Sequence, residues 1–139
     1  MKNIYRVLRY AMSFIFLWAF ADKTFGLGYA TTADKSWLAG GSPTSGFLLH
    51  GTHGPLAEFF QSLAGHDIID WLFMLGLLGI GLGLLLRRYI KWAAIAGIIL
   101  MLLMYLSAFP SENNPIIDEH IIYLLVLAVL ALDSKGFSV

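Results

Sequence analysis

Four long apolar runs divide this 139-residue chain, and the charges between them are sorted by sign. Lys2, Arg6 and Arg9 stand at the start of the first run. Arg87, Arg88 and Lys91 fill the short link between the second and third, and Lys135 follows the fourth. Those seven leave only Lys23 and Lys35 among the nine basic residues, whereas eight of the nine acidic residues fall in or beside the other two connections. A soluble domain has no physical reason for such sorting. A chain that crosses a bilayer does, because loops on the cytoplasmic side retain Lys and Arg. The pattern predicts an all-α integral membrane protein, a four-transmembrane-helix antiparallel bundle with both termini in the cytoplasm.

Composition narrows the chemistry. The length suits one domain spanning residues 1–139. A hydrophobic fraction of 58% exceeds the usual roughly 45–50%, and only 13% of residues are charged. Net charge is zero, so no nucleic-acid-binding face is indicated. The chain contains no cysteine, which removes disulfides, thiolate metal ligands and thiol redox relays from within it.

The spans are expected at about residues 4–25, 68–86, 90–109 and 116–132, each near the roughly 20 apolar residues that cross a bilayer, with the fourth on the short side. Arg6 and Arg9 are expected to snorkel to the inner headgroups. The first run also imitates a secretory signal, with Ala19-Phe20-Ala21 before Asp22 as a small-residue cleavage site; its removal would leave three spans. In the second span, Gly79 and Gly83 form a small-xxx-small pair that permits close helix approach, within the bundle or in a homodimer.

The outer loop, residues 26–67, is too apolar to be a floppy linker and too interrupted to be a fifth span. Ser42-Pro43 reads as an N-cap and first-turn proline opening a short helix through Leu49, stopped by Gly51. Gly54-Pro55 opens a second, in which Leu56, Phe59, Phe60 and Leu63 recur at helical spacing opposite Glu58, Gln61 and Ser62. That pattern predicts an amphipathic helix lying in the outer interface over the bundle mouth. Pro110, Asn113, Asn114 and Pro115 make the other outer connection a compact turn.

Two polar clusters carry candidate chemistry. Asp22 and Lys23 fall near the outer surface, where an ionisable residue is either functional or marks the headgroup level. Asp118, Glu119 and His120 open the fourth span. Asp118 suits an N-cap, and His120, with an ordinary pKa near 6.5, suits proton exchange or a structural bond to the loop. His50, His53 and His66 complete the histidines, but no metal-ligand spacing links them, so no metal is predicted.

The segments FLWAFADKTFG, WLAGGSPTSGFLLHGTHGP, DWLFMLGLLGIGLGLLL and AFPSENNPIIDEHIIYLLVLAVLAL, in that order, resemble the DoxX/DoxD family of small bacterial and archaeal four-helix membrane proteins. The resemblance covers nearly the whole chain. It implies a place in the bacterial or archaeal plasma membrane. In the DoxD branch it implies the membrane subunit of a thiosulfate:quinone oxidoreductase, which passes electrons from thiosulfate to quinone and forms tetrathionate. Other members accompany oxidative-stress enzymes. Asp22, Lys23, Asn114, Pro115, Asp118 and His120 carry the family's polar pattern here. The resulting expectation is a membrane subunit of a redox complex with a second protein subunit and quinone as cofactor. Asp22 and His120 would exchange protons, and Lys23, Asn114 and Asp118 would bind quinone or substrate. The alternative is a non-catalytic scaffold or assembly factor that docks a peripheral enzyme.

Overall fold

The structure, a computed structural model, describes residues 1–133, so Lys135 lies outside the described residues. Five α-helices carry the chain: α1 (Lys2–Phe25), α2 (Ala57–Gln61), α3 (Asp67–Leu85), α4 (Ile90–Ser107) and α5 (Glu119–Leu132). Among the described residues there is no strand. Helices α1, α3 and α4 are long and apolar enough to cross a membrane, while α5 is apolar but has only 14 residues. At 1.5 Å per residue it spans about 21 Å.

Each helix ends where its sequence makes it end. Gly26 adopts φ 68° after α1 and donates its N–H to the Asp22 carbonyl, a left-handed cap that only glycine reaches without strain. Helix α4 stops at Ser107 rather than at residue 109, because the residues before Pro110 are pushed out of the helical region. Helix α5 starts at Glu119 rather than 116, since Asp118 caps it by accepting the N–H groups of His120 and Ile121.

Helix α1 packs on α3 and α5, and α4 packs on the same two. Phe16, Met74, Leu84, Leu127 and Leu130 are fully buried where the helices meet. The outward faces are equally apolar, with Phe14, Leu72, Leu75, Ile99 and Leu125 exposed. Lipid tails are as apolar as leucine, so burial alone does not drive such helices together; close packing and interhelical hydrogen bonds do. Gly81 supplies one close approach, since a Cβ there would lie 2.6 Å from Leu17 of α1. Ser13 Oγ donates to the Gly81 carbonyl at 2.7 Å, and Tyr5 Oη donates to the Leu130 carbonyl at 3.2 Å.

Arg9 departs from the expected snorkelling. It is only 2% exposed and donates to the carbonyls of Leu84 and Leu85. The last four carbonyls of a helix lack intrahelical partners and carry its negative dipole end, so a guanidinium from the neighbouring helix is stabilised there.

The long loop between α1 and α3 holds a 3₁₀ turn (Ala33–Lys35), a single π turn (Phe47–Gly51) and the short α2. Ser42 Oγ accepts the N–H of Ser45 at 3.1 Å, the cap its sequence position foretells, although the turn it opens winds to Gly51. The apolar stripe of α2 does not act as one face. Phe60 is buried at 7% and Leu63 is partly buried, but Phe59 is 60% exposed and Leu56 is also exposed. A five-residue helix has too few turns to lay four side chains on one surface. The loop is pinned to the end of α4: His53 donates its N–H to the Ser107 carbonyl at 3.2 Å. Next to it, Gly54 (φ 86°) lies so close to Phe109 that a Cβ would fall 1.8 Å from its carbonyl oxygen.

Candidate functional site

A half-open cavity of about 180 Å³ lies beneath this loop. Leu100, Leu103 and Met104 of α4 and Phe73 of α3 form its walls, while Leu48 and Phe60 cover it from the loop. Lys23 is the one charged side chain in that lining. Its position follows from the end of α1, where the loop folds back on the helix: Trp37 and Leu38 donate their N–H groups to the carbonyls of Lys23 and Thr24 at 2.9 and 3.2 Å. The ammonium donates to the Pro43 carbonyl at 3.3 Å and stands 5.7 Å from the centre of the Phe73 ring. An ammonium has three N–H donors, so its contact with Pro43 leaves capacity for an acceptor inside the cavity. The other polar groups of the lining, the hydroxyls of Thr44 and Ser107, already donate to the Asp70 carboxylate and the Met104 carbonyl.

Asp22 is adjacent in sequence but serves a different site. It is 2% exposed, and its carboxylate accepts the backbone N–H groups of Tyr29, Ala30 and Thr31 at 3.2, 2.8 and 3.0 Å. Consecutive helical residues point about 100° apart, so Lys23 turns to the cavity while Asp22 organises the loop beyond Gly26.

The remaining candidates meet at the connection between α4 and α5. His120 Nδ1 lies 2.9 Å from Asp118 Oδ2, which also accepts the Ser111 hydroxyl at 3.1 Å. The other oxygen of Asp118 takes the N–H groups of His120 and Ile121 at 3.0 and 3.2 Å. Asp118 stands in the turn just outside α5. Partial burial would raise its pKa, but the bonds from the His120 ring and the Ile121 N–H, the His120 charge and the Ser111 hydroxyl together hold the carboxyl below its ordinary value. Glu119 joins these two in offering ligand atoms within 4.8 Å of one another. Both oxygens of Asp118 are already engaged by protein donors, so we assign the cluster a capping role. Asn114 also caps, its Oδ1 accepting the N–H groups of Ile116 and Ile117 at 2.9 and 3.0 Å. Of the five candidate residues, the cavity lining includes Lys23; Asp22, Asn114, Asp118 and His120 lie outside it.

Sequence reasoning missed a third polar centre. Asp70, buried in the first turn of α3, accepts the hydroxyls of Ser42 and Thr44 at 2.7 and 2.5 Å. It lines a separate cavity of about 290 Å³ with Asp67, Trp37 and Trp71, whose rings meet edge to face at 4.7 Å. The available signal was a second acid one turn after Asp67 in an otherwise apolar helix. Comparison with protein-family models, curated proteins and solved structures finds no match to this chain.

Proposed function

We propose that the chain is a four-span antiparallel membrane protein of the DoxX/DoxD type, with both termini cytoplasmic, and that it acts as the quinone-binding membrane subunit of a redox complex. The observation that carries this reading is the apolar cavity with Lys23 as its one charged lining residue. A quinone headgroup is a flat apolar ring with carbonyl acceptors, and its hydrocarbon tail requires an exit to lipid. The cavity suits the headgroup alone: it is apolar, Lys23 supplies the donors, and it is half-open beside Leu103, which is exposed. Bound there, the quinone would supply the two-electron acceptor. Lys23 would orient it through one carbonyl, and Leu48 and Phe60 would exclude water.

The roles expected for the other residues change accordingly. Asp22, holding three backbone amides, fixes the loop. His120, oriented through Nδ1 by Asp118, keeps Nε2 for proton exchange at the outer surface. Lys23→Met retains the stem and removes the donors. Quinone extracted from the purified membrane complex should fall to background in that variant, with loss of thiosulfate-dependent quinone reduction. Equal quinone content in wild type and variant would refute the site.

The scaffold reading draws on a different observation. Tyr29, Leu38 and Phe59 expose large apolar surfaces on the outer loop, more than a headgroup-facing segment needs. It predicts partner recruitment by a complex that never reduces quinone.

A further inference from the structure

A second cavity, unrelated to the first, opens on the lipid-facing side between α3 and α4. It holds about 520 Å³ and runs from Arg88, Tyr89 and Trp92 at the α3–α4 turn up to Leu75. The eleven residue-to-residue steps from Leu75 to Leu86 give it a length of about 16 Å. One leaflet of a roughly 30 Å hydrocarbon core has the same depth. The groove therefore begins at headgroup level and ends near the bilayer midplane.

Its floor is hollow for no reason internal to the chain. A Cβ on Gly76 or Gly79 would meet nothing within 4 Å, whereas one on Gly83 would lie 2.7 Å from the Ala93 Cβ. Only Gly83 of the Gly79/Gly83 pair thus serves packing within this chain. Glycine in a helix interior is less stable than alanine, so Gly76 and Gly79 keep space open at a cost.

The rim decides what enters. Arg87, Arg88 and Lys91 cluster at the turn, and among the described residues none of the three forms an ion pair. Arg88 stands 5.8 Å from the Tyr89 ring, and Trp92 is 68% exposed beside it, the interfacial position such rings favour. A second copy seated here by a two-fold axis along the membrane normal would bring the two basic turns together, and a transmembrane helix would need more than one leaflet of groove. We infer that the groove binds an anionic phospholipid, with its phosphate on Arg88 and one acyl chain along Gly79 and Gly76. Basic sites between membrane helices recognise anionic headgroups by this combination of charge and apolar cleft.

The test uses the full-length protein in nanodiscs of phosphatidylcholine with or without phosphatidylglycerol, read by native mass spectrometry and thermal unfolding. Wild type should retain phosphatidylglycerol over phosphatidylcholine and unfold at higher temperature with it. Arg88→Gln should bind it about fivefold more weakly. Gly79→Leu should lose the lipid and its stabilisation while unfolding no earlier than wild type in pure phosphatidylcholine, because the new side chain fills the groove. Gly76→Ala, a smaller intrusion, should show the same signs to a lesser degree if Gly79→Leu does not fold. Equal retention of the two lipids by wild type, or unchanged phosphatidylglycerol binding in all three variants, would overturn the assignment. So would a cross-linked dimer that Gly79→Leu abolishes.

Discussion

At the residue scale, two carboxylates expected to do chemistry are occupied by backbone amides. Asp22 holds three N–H groups of the loop after α1. Asp22→Ala should cost about 2 kcal/mol or more, because buried donors left without an acceptor are expensive, and Asp22→Asn, which keeps one acceptor oxygen, should cost less. Thermal unfolding in detergent measures both; equal, negligible losses would mean the loop is held by other contacts. Asp118 gives a pH signature. A carboxyl held below its ordinary value contributes stability that is present above the unfolded pKa of about 3.9 and disappears as pH falls through the folded value. The start of α5 should therefore loosen on acidification below about pH 4, followed by amide exchange at His120 and Ile121. Asp118→Asn should flatten that dependence while keeping a cap.

At the element scale, α2 works through one residue. Phe60→Asp would place a carboxylate among Leu63, Phe73 and Leu103 in the cavity lining and should cost about 3 kcal/mol or more. Phe59→Asp, on the exposed side, should leave the fold intact and register only in docking assays. The amphipathic pattern promised that all four apolar residues would share a surface, and here local periodicity overstated the case: the helix ends before its second turn is complete. The long helices were much more legible. Apolar runs, Gly26 and Pro110 mark their ends to within three residues. What could not be read was which polar atom meets which carbonyl across helices. Arg9 on α3 and Asp70 on the Ser42–Thr44 turn are contacts between segments more than 20 residues apart, and no local pattern encodes them. Lys23 shared its neighbourhood with Asp22 in sequence, yet the rotation of one residue along a helix sends them to different sites.

At the scale of the whole molecule, the distribution of charge predicts sidedness. Reporter fusions at Arg88 and after Val139 should read cytoplasmic, and those at Ser42 and Asn113 external; a Val139 fusion on the outer side would leave three crossings instead of four. The 14-residue α5 makes this the informative position, since its length falls short of a roughly 30 Å core. The two connections at this end of the bundle are joined at backbone level, with His53 bonded to Ser107 and Gly54 pressed on Phe109. Grafting is constrained as a result. A loop transplanted from another protein would need glycine at that position and a matching turn after α4, so the two connections must be exchanged together or not at all. Tags and epitopes belong instead at Gly40, where the surroundings are open.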